Sequence, residues 1–166
     1  MSKTNAPVPD AWKEGKLPYG PSINLTTAKK MLDAAEAEAK KQGLLMTIAI
    51  ADIGGNLLAF HRMDNAALFS IQISMDKAFT AAFGKLPTNI WRIFFQAGHL
   101  PELFFHERWI AFGGGFPLIK GGQLLGGIGV SGATAQGDCL VARAALVAGG
   151  FSTGDADAAL AEPKES

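Results

Sequence analysis

Two rhythms of apolar residues alternate along this chain. From Asn24 or Thr26, either a suitable N-cap, Leu25, Ala28, Leu32, Ala35 and Ala39 share one helical face while Lys29, Lys30, Asp33, Glu36 and Lys40 fall elsewhere. Gly43 closes this helix. Leu45 to Asp52 is rich in β-formers, the turn Ile53-Gly54-Gly55-Asn56 follows, and Leu57 to Arg62 makes a returning strand. Ala67 to Phe83 goes back to helical spacing through Ile71, Met75, Ala78 and Ala82; Gly84 ends it, and Pro87 opens a further helical piece to about Gln96. Gly98 and Pro101 break the pattern. Phe116 to Ile119 and Leu124 to Ser131 pair around Lys120-Gly121-Gly122 as a second hairpin. Gly126, Gly127 and Gly129 in its second strand carry a backbone-entropy cost, which implies that another backbone or a ligand comes close. A last helix, about Gln136 to Ala148, turns Cys139, Ala142 and Leu146 inward.

Helix, hairpin, helices, hairpin and helix predict an α/β (α+β) layered fold, with one mostly antiparallel sheet of about five strands flanked by helices. The domain spans residues 23–150. Before it, residues 1–22 hold Pro7, Pro9, Pro18 and Pro21 and too few aliphatics to fold alone, so they read as an extended arm. Trp12, Leu17 and Tyr19 in that arm either dock on a neighbouring subunit or stay loose. After it, residues 151–166 are small and acidic and read as a flexible, frayed tail.

Composition adds an expectation about assembly. In 166 residues, hydrophobic side chains are 48% and charged ones only 18%, more apolar surface than one layered domain hides, which points to a homo-oligomer. Fifteen Lys and Arg balance fifteen Asp and Glu, so no basic field exists to hold nucleic acid. The single cysteine, Cys139, excludes an intrachain disulfide framework. The start of the chain lacks a signal-like apolar stretch, and no run reaches the roughly 20 residues of a membrane span, so the expectation is no membrane and a cytoplasmic address.

The chemistry-bearing residues are few. Phe112-Gly113-Gly114-Gly115-Phe116 lacks the Lys-Ser/Thr of a P-loop, and Gly127-Ile128-Gly129-Val130-Ser131-Gly132 lies outside any βαβ unit, so the glycines read as tight turns and close packing. Ser131 misses the nucleophile-elbow spacing by one residue, and Cys139 reads as a buried thiol. His61 precedes Arg62 at a strand end, as a turn residue or a ligand contact. His99 and His106 bracket a proline-broken loop that continues through Glu107, Arg108 and Trp109. Ten of the fifteen aromatic residues lie between Phe79 and Phe116, so this stretch suits a flat hydrophobic ligand with anionic edges: rings stack, guanidinium groups fork onto carboxylates, and a histidine ligates iron or shuttles protons. The alternative is that these rings are core and interface. Asp76-Lys77 reads either as an ion pair at a subunit contact or as a lysine reaching into the pocket.

Three stretches together, Ile48 to Asp64, Ser74 to Ala81 and Phe112 to Asp138, resemble the GlcG/HbpS-like haem-binding family, which includes the C-terminal domain of PduO-type proteins. The resemblance runs from Leu25 to Ala148. It implies a profilin-like layered fold, homo-oligomers and, in some members, haem or corrinoid binding linked to haem degradation or redox sensing. Where the family ends on Ser-Gly-Gly-Thr-x-Glu-Gln-Asp, this chain reads Ser131-Gly132-Ala133-Thr134-Ala135-Gln136-Gly137-Asp138, so Gln136 replaces a carboxylate. Asn89 to Trp109 is also far more aromatic than the glycine- and proline-rich segment expected of the family.

Two functions follow as expectations. In the first, the protein binds haem or another tetrapyrrole: His99 or His106 is the metal ligand, Arg62, Lys77 or Arg108 faces the propionates, and His61 and Trp109 complete the ligand contacts. In the second, a cofactor-independent catabolic enzyme of isomerase or hydrolase type acts on a small aromatic or carboxylated compound. His106 and Glu107 are then its acid/base pair, and Arg62 or Arg108 holds the carboxylate. A structural oligomer or accessory partner is a third reading, favoured where side chains fill the pocket.

Overall fold

A computed structural model describes residues 16–99 and 101–161. Helix α1 (Leu25–Lys41) starts where Asn24 accepts the Thr27 backbone N–H at 2.8 Å. The hairpin β1 (Thr47–Ala51) and β2 (Leu57–Arg62) follows, then α2 (Phe69–Gly84) and α3 (Thr88–Gln96). A short 3-10 turn (Pro101–Phe105) leads to the hairpin β3 (Gly115–Lys120) and β4 (Gln123–Ser131), and the chain closes with α4 (Ala135–Gly149) and α5 (Gly154–Ala161).

The sheet has four strands in the order β2-β1-β4-β3, every neighbour antiparallel, and not about five. The reason lies at the open flank of β4. Strand β1 ends at Ala51 opposite Gly127, and residues 18–23 run alongside the part of β4 that remains. There Leu124 N–H donates to the Pro18 carbonyl at 2.9 Å, Gly20 N–H to the Leu124 carbonyl at 2.9 Å and Ile23 N–H to the Leu125 carbonyl at 2.8 Å. Pro18 has no N–H to extend the ladder toward the start of the chain, and the stretch makes a single bridge, between Tyr19 and Leu124. Leu17 is buried, its carbonyl accepting from Lys85 Nζ at 2.9 Å, and the same ammonium sits 3.8 Å from the Tyr19 ring centroid. The end of the arm therefore docks on its own domain; Trp12 lies outside the described residues.

The two faces of the sheet differ in kind. Ile48, Ile50, Phe116, Leu118, Ile128 and Val130 point to α1 and α4 and build the main core with Met31, Leu32 and Leu146. On the other face, Ala49 and Ala51 meet Ala78 of α2. The backbone that comes close to the β4 glycines is α2: a Cβ at Gly127 would overlap the Ala78 carbonyl oxygen, and one at Gly129 that of Ser74. The segment after Gly150 carries α5, tied to α4 by Arg143 Nε on Asp157 and seated by the buried Ala156, where the sequence predicts fraying. No helix among the described residues is long and apolar enough to cross a membrane.

Candidate functional site

Helix α2 carries a polar stripe at Gln72, Asp76 and Thr80, four residues apart and so on one face. The chain between α3 and β3 returns over this stripe and is fastened to it. Thr80 Oγ1 donates to the Arg108 carbonyl at 3.2 Å and accepts from the Ile110 N–H at 3.0 Å. Arg108 Nε donates to Asp76 Oδ1 at 3.0 Å, and Gln72 Nε2 donates to the same oxygen at 2.9 Å. Asp76 is thus a positioning residue for Arg108.

Beside the stripe, Phe79 is the centre of a group of rings. Phe83 stacks on it with centroids 5.0 Å apart, His106 stacks at 5.3 Å and 19°, and the Arg108 guanidinium carbon lies 4.3 Å from its centroid. Trp109 sets its edge to Trp91 at 4.8 Å, to His106 at 6.3 Å and to Phe83 at 6.5 Å. Trp91 packs so tightly over Gly84 that a Cβ there would sit 2.6 Å from its ring. His99 is half-buried, edge-on to Phe94 at 6.1 Å. The indole Nε1 of Trp109 is buried without a hydrogen-bond partner among the described residues.

Of the residues singled out in the sequence, His106, Arg108 and Trp109 come together here, and His99 stands farther out on Phe94, which adjoins Trp91. His61 does not join them. It pairs with Ile48 in the hairpin register, which turns it to the α1 side of the sheet, and its Nδ1 lies 3.0 Å from Glu36 Oε2. The Lys40 ammonium, hydrogen-bonded to Glu36, holds that carboxyl below its usual range. Arg62 is exposed at the end of β2 opposite Thr47, whose hydroxyl donates to the Ser70 carbonyl at the start of α2, away from Phe79 and Phe83. Glu107 is exposed, and no hydrogen bond joins it to His106 among the described residues.

Lys77 lies inside the domain, its side chain 0% exposed and taken up in an ion pair. Nζ donates to Asp138 Oδ2 at 2.7 Å and to the Val130 carbonyl at 2.8 Å, and lies 4.9 Å from the Phe112 centroid. Asp138 Oδ1 accepts the Ala133 N–H at 3.1 Å. Burial pushes the Lys77 amine down and the Asp138 carboxyl up, each opposed by the other's charge. The pair ties α2, β4 and α4 together. Gln72 and Thr80 were the site residues that the sequence did not single out; their signal was the four-residue spacing of Gln72, Asp76 and Thr80, which places them on one face of α2.

A four-stranded antiparallel sheet with two helices on one face and a strapped, aromatic-capped helix on the other defines a layered α/β domain with a ring-lined face. The chain belongs to the HbpS-like family, described as haem degrading protein HbpS-like, whose model matches residues 23–147. It is 38% identical over 128 residues to the "Uncharacterized 15.0 kDa protein in dhaT-dhaS intergenic region" of Citrobacter freundii, covering 75% of this chain and 90% of that one. To protein GlcG of Escherichia coli K12 it is 37% identical over 104 residues, 63% of this chain and 77% of GlcG. The crystal structure of a PduOC:heme complex superposes with a TM-score of 0.75 at 27% identity, covering 80% of this chain and 98% of that one.

Proposed function

We propose that this protein binds a flat tetrapyrrole of the haem class on the aromatic face between α2 and residues 105–112. The observation that carries this reading is the stack of Phe83, Phe79 and His106 with the Arg108 guanidinium over the same Phe79 ring. Ring faces suit a flat macrocycle, and a guanidinium fork suits the carboxylates at its edge. Asp76 takes one of the five N–H donors of Arg108 and fixes the direction of the others. Support from relatives is coarser: the family description and the PduOC:heme complex both name haem.

The chain's own residues fit such a group. Trp109 Nε1 is an orphan donor in the ring cluster, and a buried donor without a partner is an unusual feature of a folded chain. His99, half-buried against Phe94, would hold an iron centre, and Arg108 would meet the propionates. Iron, when bound, supplies redox chemistry, on which either haem degradation or redox sensing would draw. The cofactor-independent enzyme ranks second, because His106 and Glu107 are not bonded as an acid/base pair.

Haemin titrated into the purified full chain is expected to give a saturable Soret band, shifted in His99→Ala. Arg108→Ala is expected to weaken binding by about tenfold, the worth of one charge-assisted contact. A titration without saturation refutes the reading.

A further inference from the structure

An imidazole that ligates a metal presents a lone pair to it, and its other ring nitrogen carries a hydrogen that it donates to a carboxylate, a carbonyl or water. His106 shows the reverse polarity. Its Nδ1 faces a donor, the Arg108 backbone N–H at 3.2 Å, so Nδ1 keeps its lone pair and the neutral ring carries its hydrogen on Nε2. That donor is held in place from several sides: Asp76 takes the Arg108 Nε, and Thr80 bonds both the Arg108 carbonyl and the Ile110 N–H. The ring is itself held against Phe79 and is exposed on its outer side. His61 provides the contrast within the same chain, with Nδ1 beside the Glu36 carboxylate, but it stands on the opposite face of the sheet.

We infer that His106 recognises the ligand through an N–H donated from Nε2 to an anionic oxygen, so that this face takes flat, carboxylate-bearing macrocycles whether or not they carry a metal. The inference rests on the aromatic face being the ligand site and deepens it. Arg108 and His106 then present two neighbouring donors above one ring, a guanidinium and an imidazole N–H, matched to a carboxylate at the macrocycle edge. Iron has no part in this contact.

The test uses the full chain with two probes, haemin and metal-free protoporphyrin IX, read by quenching of tryptophan fluorescence and by absorbance. The metal-free porphyrin is expected to bind saturably. His106→Phe, which keeps a ring on Phe79 but removes the donor, is expected to weaken both probes by the same factor, about tenfold. His106→Gln, whose amide restores an N–H near the Nε2 position, is expected to recover both to within about threefold of the unsubstituted protein. The Soret position of bound haemin is expected to stay unchanged in both variants. Saturable haemin with no binding of the metal-free porphyrin overturns the inference alone, as does a Soret shift or a weakening confined to haemin in His106→Phe. Binding of neither probe overturns the tetrapyrrole reading itself.

Discussion

Lys77 and Asp138 show how one buried pair is held by what surrounds it. Both side chains are nearly inaccessible, at 0% and 4%, and each makes a second hydrogen bond, to the Val130 carbonyl and from the Ala133 N–H. Removing one partner leaves the other charged and alone in the interior, so Lys77→Met is expected to cost about 3–5 kcal/mol in urea unfolding. The double variant Lys77→Met, Asp138→Leu is expected to recover most of that loss. The pair also sets a pH signature. The Asp138 carboxyl is raised above 3.8, so the folded chain holds its proton longer than the unfolded one. That contribution is present below 3.8 and is lost as pH rises through the folded value. The Lys77 amine is lowered from 10.5, so its contribution is present above 10.5 and is lost as pH falls through the folded value. Urea midpoints measured across pH are expected to show both slopes in the natural chain and neither in the double variant.

At the scale of elements, α2 does two jobs on opposite sides. Its inner side lies on the glycines of β4 with no room for a side chain between, and its outer side holds the 106–110 strap and the ring stack. Thr80 joins these roles, since one hydroxyl both donates to Arg108 and accepts from Ile110. Thr80→Val keeps the shape but leaves a carbonyl and an N–H of the strap unpaired, at a cost of about 1–3 kcal/mol. The loss is expected to be local. Amide exchange at Ile110 is expected to speed up and Trp109 fluorescence to change, while exchange in β1 and β4 stays as it was. Equal acceleration throughout the sheet would show that the strap is not a separate unit.

For the whole molecule, the expectation of a homo-oligomer has a surface to rest on: Leu68 is 75% exposed, Phe69 68% and Phe105 90%. Sedimentation of the full chain at micromolar concentration is expected to show more than a monomer, and a monomer refutes this. The arm divides the test into two truncations. Deleting residues 1–22 removes Leu17, the Pro18 carbonyl that accepts from Leu124 and the Gly20 N–H that donates to it, so it is expected to lower the stability of the domain itself. Deleting residues 1–15 spares those contacts and reports on association alone.

What the sequence determined by itself was local. A cap at Asn24 or Thr26, the two hairpins, the approximate helix starts and the close approach at Gly127 and Gly129 all follow from spacing, capping and turn chemistry within about ten residues. The family was legible too, because its motifs are contiguous. The tertiary structure decided everything that depends on which face a residue takes. The register of β2 on β1 sends His61 to α1 and away from His106, although both are histidines in polar surroundings. Packing of α2 on β4 makes Lys77 half of a buried pair while Asp76 meets the strap, because adjacent positions 76 and 77 on a helix point about 100° apart. The strand count is four because residues 18–23 make only a single bridge beside β4, where Pro18 lacks the N–H that would lengthen it, a limit visible only once their place beside β4 is known. The polarity of His106 is fixed by a backbone N–H two residues on, which Asp76 and Thr80 hold from about thirty positions away. No periodicity in the chain records that contact, because its partners meet only after the sheet has brought them together.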